Sequence, residues 1–139
     1  MTFPYVRLSA LLTLLLCPKL WAQKTELPEP IKVMTFNIRY ASAFGANAWP
    51  KRRAGVVEVI REQKPGIIGT QEGLHHQLLY MDKELAEYKW IGVGREGGKR
   101  GEFMAIFYLS DRLKPLEEKH FWLSDTPKVV GSASWGNTV

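Results

Sequence analysis

The pattern of residues 31–71 predicts a strand, a helix and a second strand, and this order constrains the fold more than any other feature. Residues 31–36 alternate apolar and polar side chains before becoming apolar, which is typical of a strand that enters a core. Residues 48–63 carry apolar side chains at helical spacing, and residues 66–71 form a short apolar run. Two strands joined by a crossover helix run parallel in one sheet. The sequence therefore predicts an α/β fold.

The segments that follow extend this pattern within one domain, which is what a length of 139 residues indicates. A second helix is predicted from apolar residues that recur along one face: Leu74, Leu78, Met81 and Leu85. Three further strands are predicted from apolar runs at residues 89–93, 102–109 and 119–123. Residues 103–108 are apolar on both faces, and a strand of that kind is expected to be covered on both sides.

The first 22 residues have the layout of a secretory signal peptide. Arg7 precedes the apolar run of residues 8–16, which is shorter than the about 20 residues that a membrane-spanning helix needs. Ala22 offers a small residue for cleavage, so residues 1–22 are predicted to be removed and the mature chain to be secreted or periplasmic. Lipid attachment at Cys17 is the alternative, but the large Leu16 stands where that motif needs a small residue.

Composition excludes several classes for the rest of the chain, which divides into a polar, proline-rich linker at residues 23–30 and a domain at residues 31–139. A single cysteine excludes an internal disulfide framework and a cysteine-rich zinc module. The net charge is +5, and Arg7 and Lys19 of the leader contribute two of these charges. Such a mildly basic domain tolerates an anionic substrate and leaves nucleic acid open without indicating it. The sequence predicts no transmembrane segment in the domain and gives no sign of an oligomer.

Asn37 and Glu72 each come at the end of a predicted strand of the parallel pair. Both are therefore expected at the same edge of the sheet, where open α/β folds bind ligands. A carboxylate there suits a hard cation such as Mg²⁺, which takes few protein oxygens and keeps water and phosphate oxygens as ligands. The other interpretation is a turn asparagine and a glutamate near a helix N-terminus, where the helix dipole favours negative charge. Spacing alone favours this second interpretation.

Glu72, His75 and His76 form an E-x-x-H pattern, which binds metals when its residues share a helix face. Gly73 separates the glutamate from the predicted helix, so a shared face is not expected. We interpret the two histidines as an exposed pair near the mouth of a cleft. The third histidine, His120, lies far along the chain.

Residues 92–97 match the G-x-G-x-x-G pattern of dinucleotide-binding proteins. That pattern needs a following helix, whereas this chain continues through more glycines into a predicted strand, so the dinucleotide interpretation fails. A mobile loop is predicted instead, with Arg95, Lys99 and Arg100 as candidate phosphate contacts and a simply solvated loop as the alternative. Ser124 has no histidine base nearby in sequence, so a hydrolase triad is not supported.

Four segments, in this order, resemble motifs of the endonuclease/exonuclease/phosphatase superfamily in its secreted bacterial branch: residues 33–39 (VMTFNIR), 67–72 (IIGTQE), 101–108 (GEFMAIFY) and 121–127 (FWLSDTP). The resemblance covers nearly all of the predicted domain. It implies a four-layer α/β sandwich, with two sheets flanked by helices, and Mg²⁺- or Mn²⁺-dependent phosphoester hydrolysis. It places the family's catalytic strand-end asparagine on Asn37 and its metal-binding glutamate on Glu72.

The same resemblance also marks what this chain does not match. The family continues with a catalytic histidine, a Gly-Asp-x-Asn turn and a late Asp-His pair, and His75, His76 and His120 do not fit those contexts. We therefore expect a truncated, N-terminal part of the domain that is inactive alone, because it has the metal ligand without the groups that activate water.

The substrate remains open among phosphoesters: nucleic acid, phosphoinositide, sphingolipid headgroup and sugar phosphate. The alternative function is a non-catalytic secreted module that binds a phosphate-bearing ligand or a glycan.

Overall fold

The computed structural model describes residues 29–42 and 44–137, so the predicted signal peptide, Cys17 and most of the predicted linker lie outside the described residues. The described part has two helices, α1 (Trp49–Gln63) and α2 (His75–Glu84). It has six strands: β1 (Val33–Asn37), β2 (Ile67–Gln71), β3 (Gly73–Leu74), β4 (Tyr88–Ile91), β5 (Glu102–Phe103) and β6 (Ile106–Leu109). Neither of these two helices has the length and apolar character needed to cross a membrane.

The main sheet has four strands in the order β1-β2-β6-β4. β1 and β2 are parallel, with Asn37 opposite Gln71, and α1 joins them, which confirms the predicted strand–helix–strand unit. β6 runs antiparallel to both β2 and β4. The strands β3 and β5 form a separate two-stranded sheet. The fold is therefore of the predicted α/β class, with two sheets and helices.

Local sequence explains where α1 starts and stops. Pro50 lies in the first turn, where a missing backbone N–H costs nothing. Lys64 follows the last turn with a left-handed φ of 47°, and Pro65 then prevents the helix from continuing. The helix therefore ends one turn before β2 begins.

The core lies between the helices and one face of the main sheet. Alternate residues of β2 point into it, since Ile68 and Thr70 are buried while their neighbours are half-buried. A single apolar cluster joins both helices to the sheet, and its buried members are Ile38, Trp49, Val56, Val57, Ile60, Ile68, Leu78, Met81, Leu85, Tyr88, Phe103, Ala105 and Phe107. This packing fixes the positions of the strand ends that carry Asn37 and Glu72.

The prediction of one strand at residues 102–109, covered on both faces, is wrong. The chain leaves β5 after Phe103 and enters β6 at Ile106, so the two pieces pair in different sheets. Ala105 lies between them and its carbonyl accepts the backbone N–H of Thr70 at 2.8 Å. Phe103, Ala105 and Phe107 are buried, whereas Met104 is 70% exposed and Ile106 44% exposed. Within the described residues, therefore, only one face of this segment is covered.

The predicted strand at residues 119–123 is also absent from the described part of the chain. The backbone N–H of Trp122 donates to the carbonyl of Pro127 at 2.9 Å, and its indole N–H donates to the carbonyl of Arg95 at 2.6 Å. Phe121 and Leu123 are exposed. An apolar run favours a strand, but a strand also needs a partner strand, and this segment contacts the turn at Pro127 and the carbonyl of Arg95 instead.

Two glycines in the described part give opposite expectations on substitution by alanine. A Cβ on Gly94 would lie 1.9 Å from the carbonyl oxygen of Arg100, a backbone atom that has little freedom to move. We expect Gly94→Ala to lower the free energy of unfolding by about 1–3 kcal/mol. Gly55 lies inside α1 with open space around its Cβ position, so Gly55→Ala should raise that free energy by about 0.5–1 kcal/mol. Urea denaturation measures the free energy of unfolding of both variants. Equal changes in the two variants would contradict the close approach of Gly94 to the carbonyl of Arg100.

Candidate active site

Asn37 and Glu72 come together at the edge of the main sheet. Asn37 is the last residue of β1, and Glu72 directly follows β2. The Nδ2 of Asn37 donates a hydrogen bond to Oε1 of Glu72 at 2.7 Å. The predicted juxtaposition of these two side chains is therefore confirmed, while their catalytic and metal-binding roles stay predictions.

The carboxylate of Glu72 has a second donor from the backbone of the β1–α1 connection. The N–H of Tyr40 donates to Oε2 at 3.1 Å, so each carboxylate oxygen accepts one hydrogen bond. These hydrogen bonds, first from Asn37 and then from Tyr40, hold the pKa of Glu72 below its usual range. The positive charges of Arg39 and Arg52 act in the same direction, and partial desolvation opposes them.

Two residues of the site adopt a backbone conformation that is rare for side chains other than glycine. Arg39 has a φ of 57° and Glu72 a φ of 59°, and each such conformation costs about 1–2 kcal/mol. The Oδ1 of Asn37 accepts the backbone N–H of Arg39 at 2.8 Å, which supports the turn at Arg39. Strained backbone that the surrounding structure enforces is concentrated at functional sites in proteins, so these two angles favour a functional interpretation of this edge.

Arg52, Gln77 and Tyr40 shape the site, and sequence reasoning missed all three. The guanidinium of Arg52 donates to backbone carbonyls of the connection after β1, including that of Arg39 at 2.6 Å. The buried Gln77 accepts the N–H of Leu74 at 2.9 Å and donates to the same Arg39 carbonyl at 3.0 Å. Glutamine at the third position of a helix is a recognisable capping signal. For Arg52 and Tyr40 the sequence holds no comparable signal.

The histidines do not assemble with Glu72 within the described residues. The ring of His75 packs 5.8 Å from that of Phe103 and 6.2 Å from that of Trp90. His76 is exposed, as predicted. His75 is half-buried against Phe103 and Trp90, so the prediction of an exposed pair is wrong for this residue. His120 pairs with Glu118 at 2.7 Å. The described part holds no group of three or more His, Cys, Asp or Glu side chains that could bind a metal.

The glycine-rich segment is a hydrogen-bonded turn between β4 and β5 with no helix after it, which agrees with the failed dinucleotide interpretation. Arg95 pairs with Glu102 at 3.4 Å, and the guanidinium of Arg100 donates to the carbonyl of Glu96 at 3.0 Å. Lys99 is exposed. A phosphate role for Arg95, Lys99 and Arg100 stays a prediction, whereas Arg39 and Arg52 are the arginines whose charge reaches Glu72.

Ser124 is buried in a turn formed by the residues that follow it. Its Oγ lies 2.6 Å from Oγ of Ser132 and accepts the N–H of Thr126 at 3.1 Å. These contacts give the serine a structural role in the turn.

The lowered pKa of Glu72 predicts how the site responds to acid. The folded-state pKa lies below the unfolded one, so the stabilisation from the charged carboxylate is present above the unfolded pKa and is lost as pH falls through the folded pKa. We expect a ¹³C NMR titration of the Glu72 carboxyl to show a midpoint below that of an ordinary glutamate. Asn37→Ala removes the main cause and should raise this midpoint. An unchanged midpoint in Asn37→Ala would contradict the assigned hydrogen bond.

Comparison with known proteins finds solved structures that share the fold of this chain. An endonuclease/exonuclease/phosphatase from Bacteroides vulgatus is 39% identical over 73% of this chain and 40% of its own, with a TM-score of 0.70. A family protein from Bacteroides thetaiotaomicron is 36% identical over 78% of this chain and 40% of its own, with a TM-score of 0.73. A mannosyl-6-phosphatase from Bacteroides thetaiotaomicron is 35% identical over 79% of this chain and 42% of its own, with a TM-score of 0.74.

The chain spans about two fifths of the length of these three proteins. No protein-family model and no curated protein sequence matches it. The structural matches cover most of the domain predicted from its four motifs. The chain belongs to the endonuclease/exonuclease/phosphatase superfamily, of whose fold it forms the N-terminal part.

Proposed function

We propose that this chain carries the metal-binding part of a Mg²⁺- or Mn²⁺-dependent phosphoester hydrolase, with Glu72 as the metal ligand and Asn37 as the residue that orients it. The observation that carries the proposal is the hydrogen bond from Asn37 to Glu72, at adjoining ends of two parallel strands. Membership of a superfamily of nucleases and phosphatases supports the reaction class.

The donor set at Glu72 fits a hard divalent cation. Each carboxylate oxygen accepts one hydrogen bond from the described residues and keeps another lone pair for a cation. Mg²⁺ commonly takes one or two carboxylates and completes its coordination with water and substrate phosphate oxygens. A single carboxylate at an open sheet edge is therefore a sufficient protein contribution.

The side chains around this carboxylate have separable tasks in the proposed reaction. A bound divalent cation would neutralise negative charge on the substrate phosphate. Asn37 holds the carboxylate through Nδ2 while its own Oδ1 is fixed by the N–H of Arg39. Arg39 is exposed beside Glu72 and adds positive charge where an anionic substrate would approach.

We further propose that this chain has no measurable turnover alone. Within the described residues, the hydrogen-bond partners of the Glu72 carboxylate are Asn37 and Tyr40, and neither is a base that could take a proton from water. His75, the histidine nearest in sequence, is half-buried and packs against the rings of Phe103 and Trp90.

A chimera tests the function. Residues 31–137 replace the matching segment of the mannosyl-6-phosphatase, and a phosphorylated mannose is the first substrate, because that relative supports a sugar phosphate monoester. We expect Mn²⁺-dependent phosphate release that EDTA stops and that Glu72→Gln lowers by orders of magnitude. A folded chimera that binds the substrate without turning it over would favour the non-catalytic module. A chimera whose turnover is unchanged by EDTA would contradict metal dependence.

We also propose export, with cleavage after Ala22. This proposal rests on the positive charge of Arg7 and on the apolar run of residues 8–16 that follows it. N-terminal sequencing of exported material should give Gln23 as the first residue. Material that retains residues 8–16 would contradict this, and a lipid mass on Cys17 would favour the lipoprotein.

A further inference from the structure

The backbone that connects β1 to α1 converges on one guanidinium group. Arg52, in the first turns of α1, donates to the carbonyl of Ile38, to that of Arg39 at 2.6 Å and to that of Tyr40 at 3.1 Å. Its Nε donates to the carbonyl of Asn47 at 2.9 Å. One side chain therefore binds three consecutive carbonyls at the start of the connection and a fourth at its end.

The position of this guanidinium is itself fixed by packing. Its carbon atom lies 5.0 Å from the ring centre of Trp49, which is buried in the core. Partial burial lowers the pKa of Arg52, and the positive charge of Arg39 acts in the same direction. Because arginine offers five N–H donors in a planar fork, it can satisfy several carbonyls at once, which lysine cannot do in the same geometry.

The clamped backbone is the one that contacts Glu72. Arg52 holds the carbonyl of Tyr40 while the N–H of Tyr40 donates to Oε2 of Glu72. The carbonyl of Arg39 is held from two helices, since Gln77 on α2 donates to it as well. The carbonyl of Arg39 is therefore held by Arg52 and Gln77 while its N–H is held by Oδ1 of Asn37, at a residue whose φ is left-handed.

We propose that Arg52 is a positioning residue for the candidate active site: it fixes the backbone of residues 38–40 so that the N–H of Tyr40 and the side chain of Asn37 orient the Glu72 carboxylate. Arg52 acts through this backbone, since its hydrogen bonds go to main-chain carbonyls and not to the carboxylate. Its effect on cation affinity rests on the proposed function, while its effect on the connection does not.

The charge of Arg52 and its positioning role predict changes of opposite sign in cation affinity. As a nearby positive charge, Arg52 repels a cation, so removing it would tighten Mn²⁺ binding if charge were its main contribution. As a positioning residue, its removal loosens the carboxylate and weakens Mn²⁺ binding. Arg52→Lys keeps the charge and loses the fork, whereas Arg52→Gln loses both.

The experiment compares the full chain with its Arg52→Lys and Arg52→Gln variants. Arg53→Gln is the matched control, since Arg53 is the next residue of α1, is exposed and lies over Tyr80 at 4.8 Å. Hydrogen exchange of the Tyr40 amide without metal reports the connection, and Mn²⁺ titration by calorimetry reports the carboxylate. We expect both Arg52 variants to raise the Tyr40 exchange rate at least about tenfold and to weaken Mn²⁺ binding about 10–100-fold. The control should stay within about twofold.

Each other result overturns the proposal. An unchanged Tyr40 exchange rate in Arg52→Lys would show that the fork does not hold the connection, and tighter Mn²⁺ binding in Arg52→Gln would assign the charge as its main effect. Loss of protection throughout α1, read at Val57 and Ile60, would make Arg52 a general stabilising residue. If the unaltered chain binds no Mn²⁺, the proposed function fails, and the Tyr40 exchange rate alone decides the role of Arg52.

Discussion

Replacing Glu72 with glutamine is expected to remove divalent-cation binding from this chain while lowering its stability only modestly. The amide has nearly the same shape, and its oxygen can still accept one of the two hydrogen bonds that the carboxylate receives from Asn37 and Tyr40. The negative charge that a hard cation needs is lost. Changes to residues that merely support a metal ligand cost about 10–100-fold in affinity, so loss of the ligand itself should weaken Mn²⁺ binding by at least about 100-fold.

Calorimetric titration with Mn²⁺, together with thermal melting, measures this effect. Glu58→Gln is the matched control, because Glu58 is an exposed glutamate on α1 and its change alters the net charge by the same amount. Equal affinities of Glu72→Gln and Glu58→Gln would place the cation elsewhere. A large fall in melting temperature for Glu72→Gln would show that the glutamate serves the fold instead.

The largest effect on stability is expected at Phe107. This ring is fully buried on β6, opposite Ile68 of β2 and Trp90 of β4, and it stacks on Trp90 with ring centres 6.0 Å apart. Phe107→Ala removes the ring and leaves a cavity in the middle of the sheet, which typically costs about 3–5 kcal/mol. That is a large share of the about 5–15 kcal/mol by which folded domains are stable.

Phe121 provides the comparison, since it is also a phenylalanine but is 73% exposed. Phe121→Ala should change the free energy of unfolding by no more than about 0.5 kcal/mol. Urea denaturation of both variants measures the difference. Similar losses at the two positions would mean that Phe121 is packed in solution, which contradicts its exposure on the surface.

The pairing of Asn37 with Glu72 could be predicted because it follows from local patterns and one topological rule. Each residue ends an apolar run, and a helix between two strands makes them parallel, which brings both ends to one edge. The sequence could not supply the contacts of Arg52 or Tyr40. They depend on the path of the connection after β1, which turns at a non-glycine residue with positive φ.

The wrong strand predictions have a related cause. An apolar run indicates that a segment can form a strand, but pairing depends on which strand lies beside it. Residues 102–109 change partner at Ala105, and the segment that holds Phe121 pairs with no strand in the described part. His75 was misjudged for the same reason, since its aromatic neighbours come from β4 and β5.

The most direct test of a cation site at Glu72 is a Mn²⁺ titration of the ¹⁵N-labelled chain followed by NMR. Mn²⁺ broadens the signals of nearby amides, so the amides of Ile38, Tyr40, Glu72 and Gly73 should disappear first, at a small fraction of one equivalent. The same titration of Glu72→Gln should leave those signals sharp. Broadening centred on other carboxylates, such as Glu117 and Glu118, or identical broadening in Glu72→Gln, would contradict the assignment of the metal-binding part of a phosphoester hydrolase to this edge of the sheet.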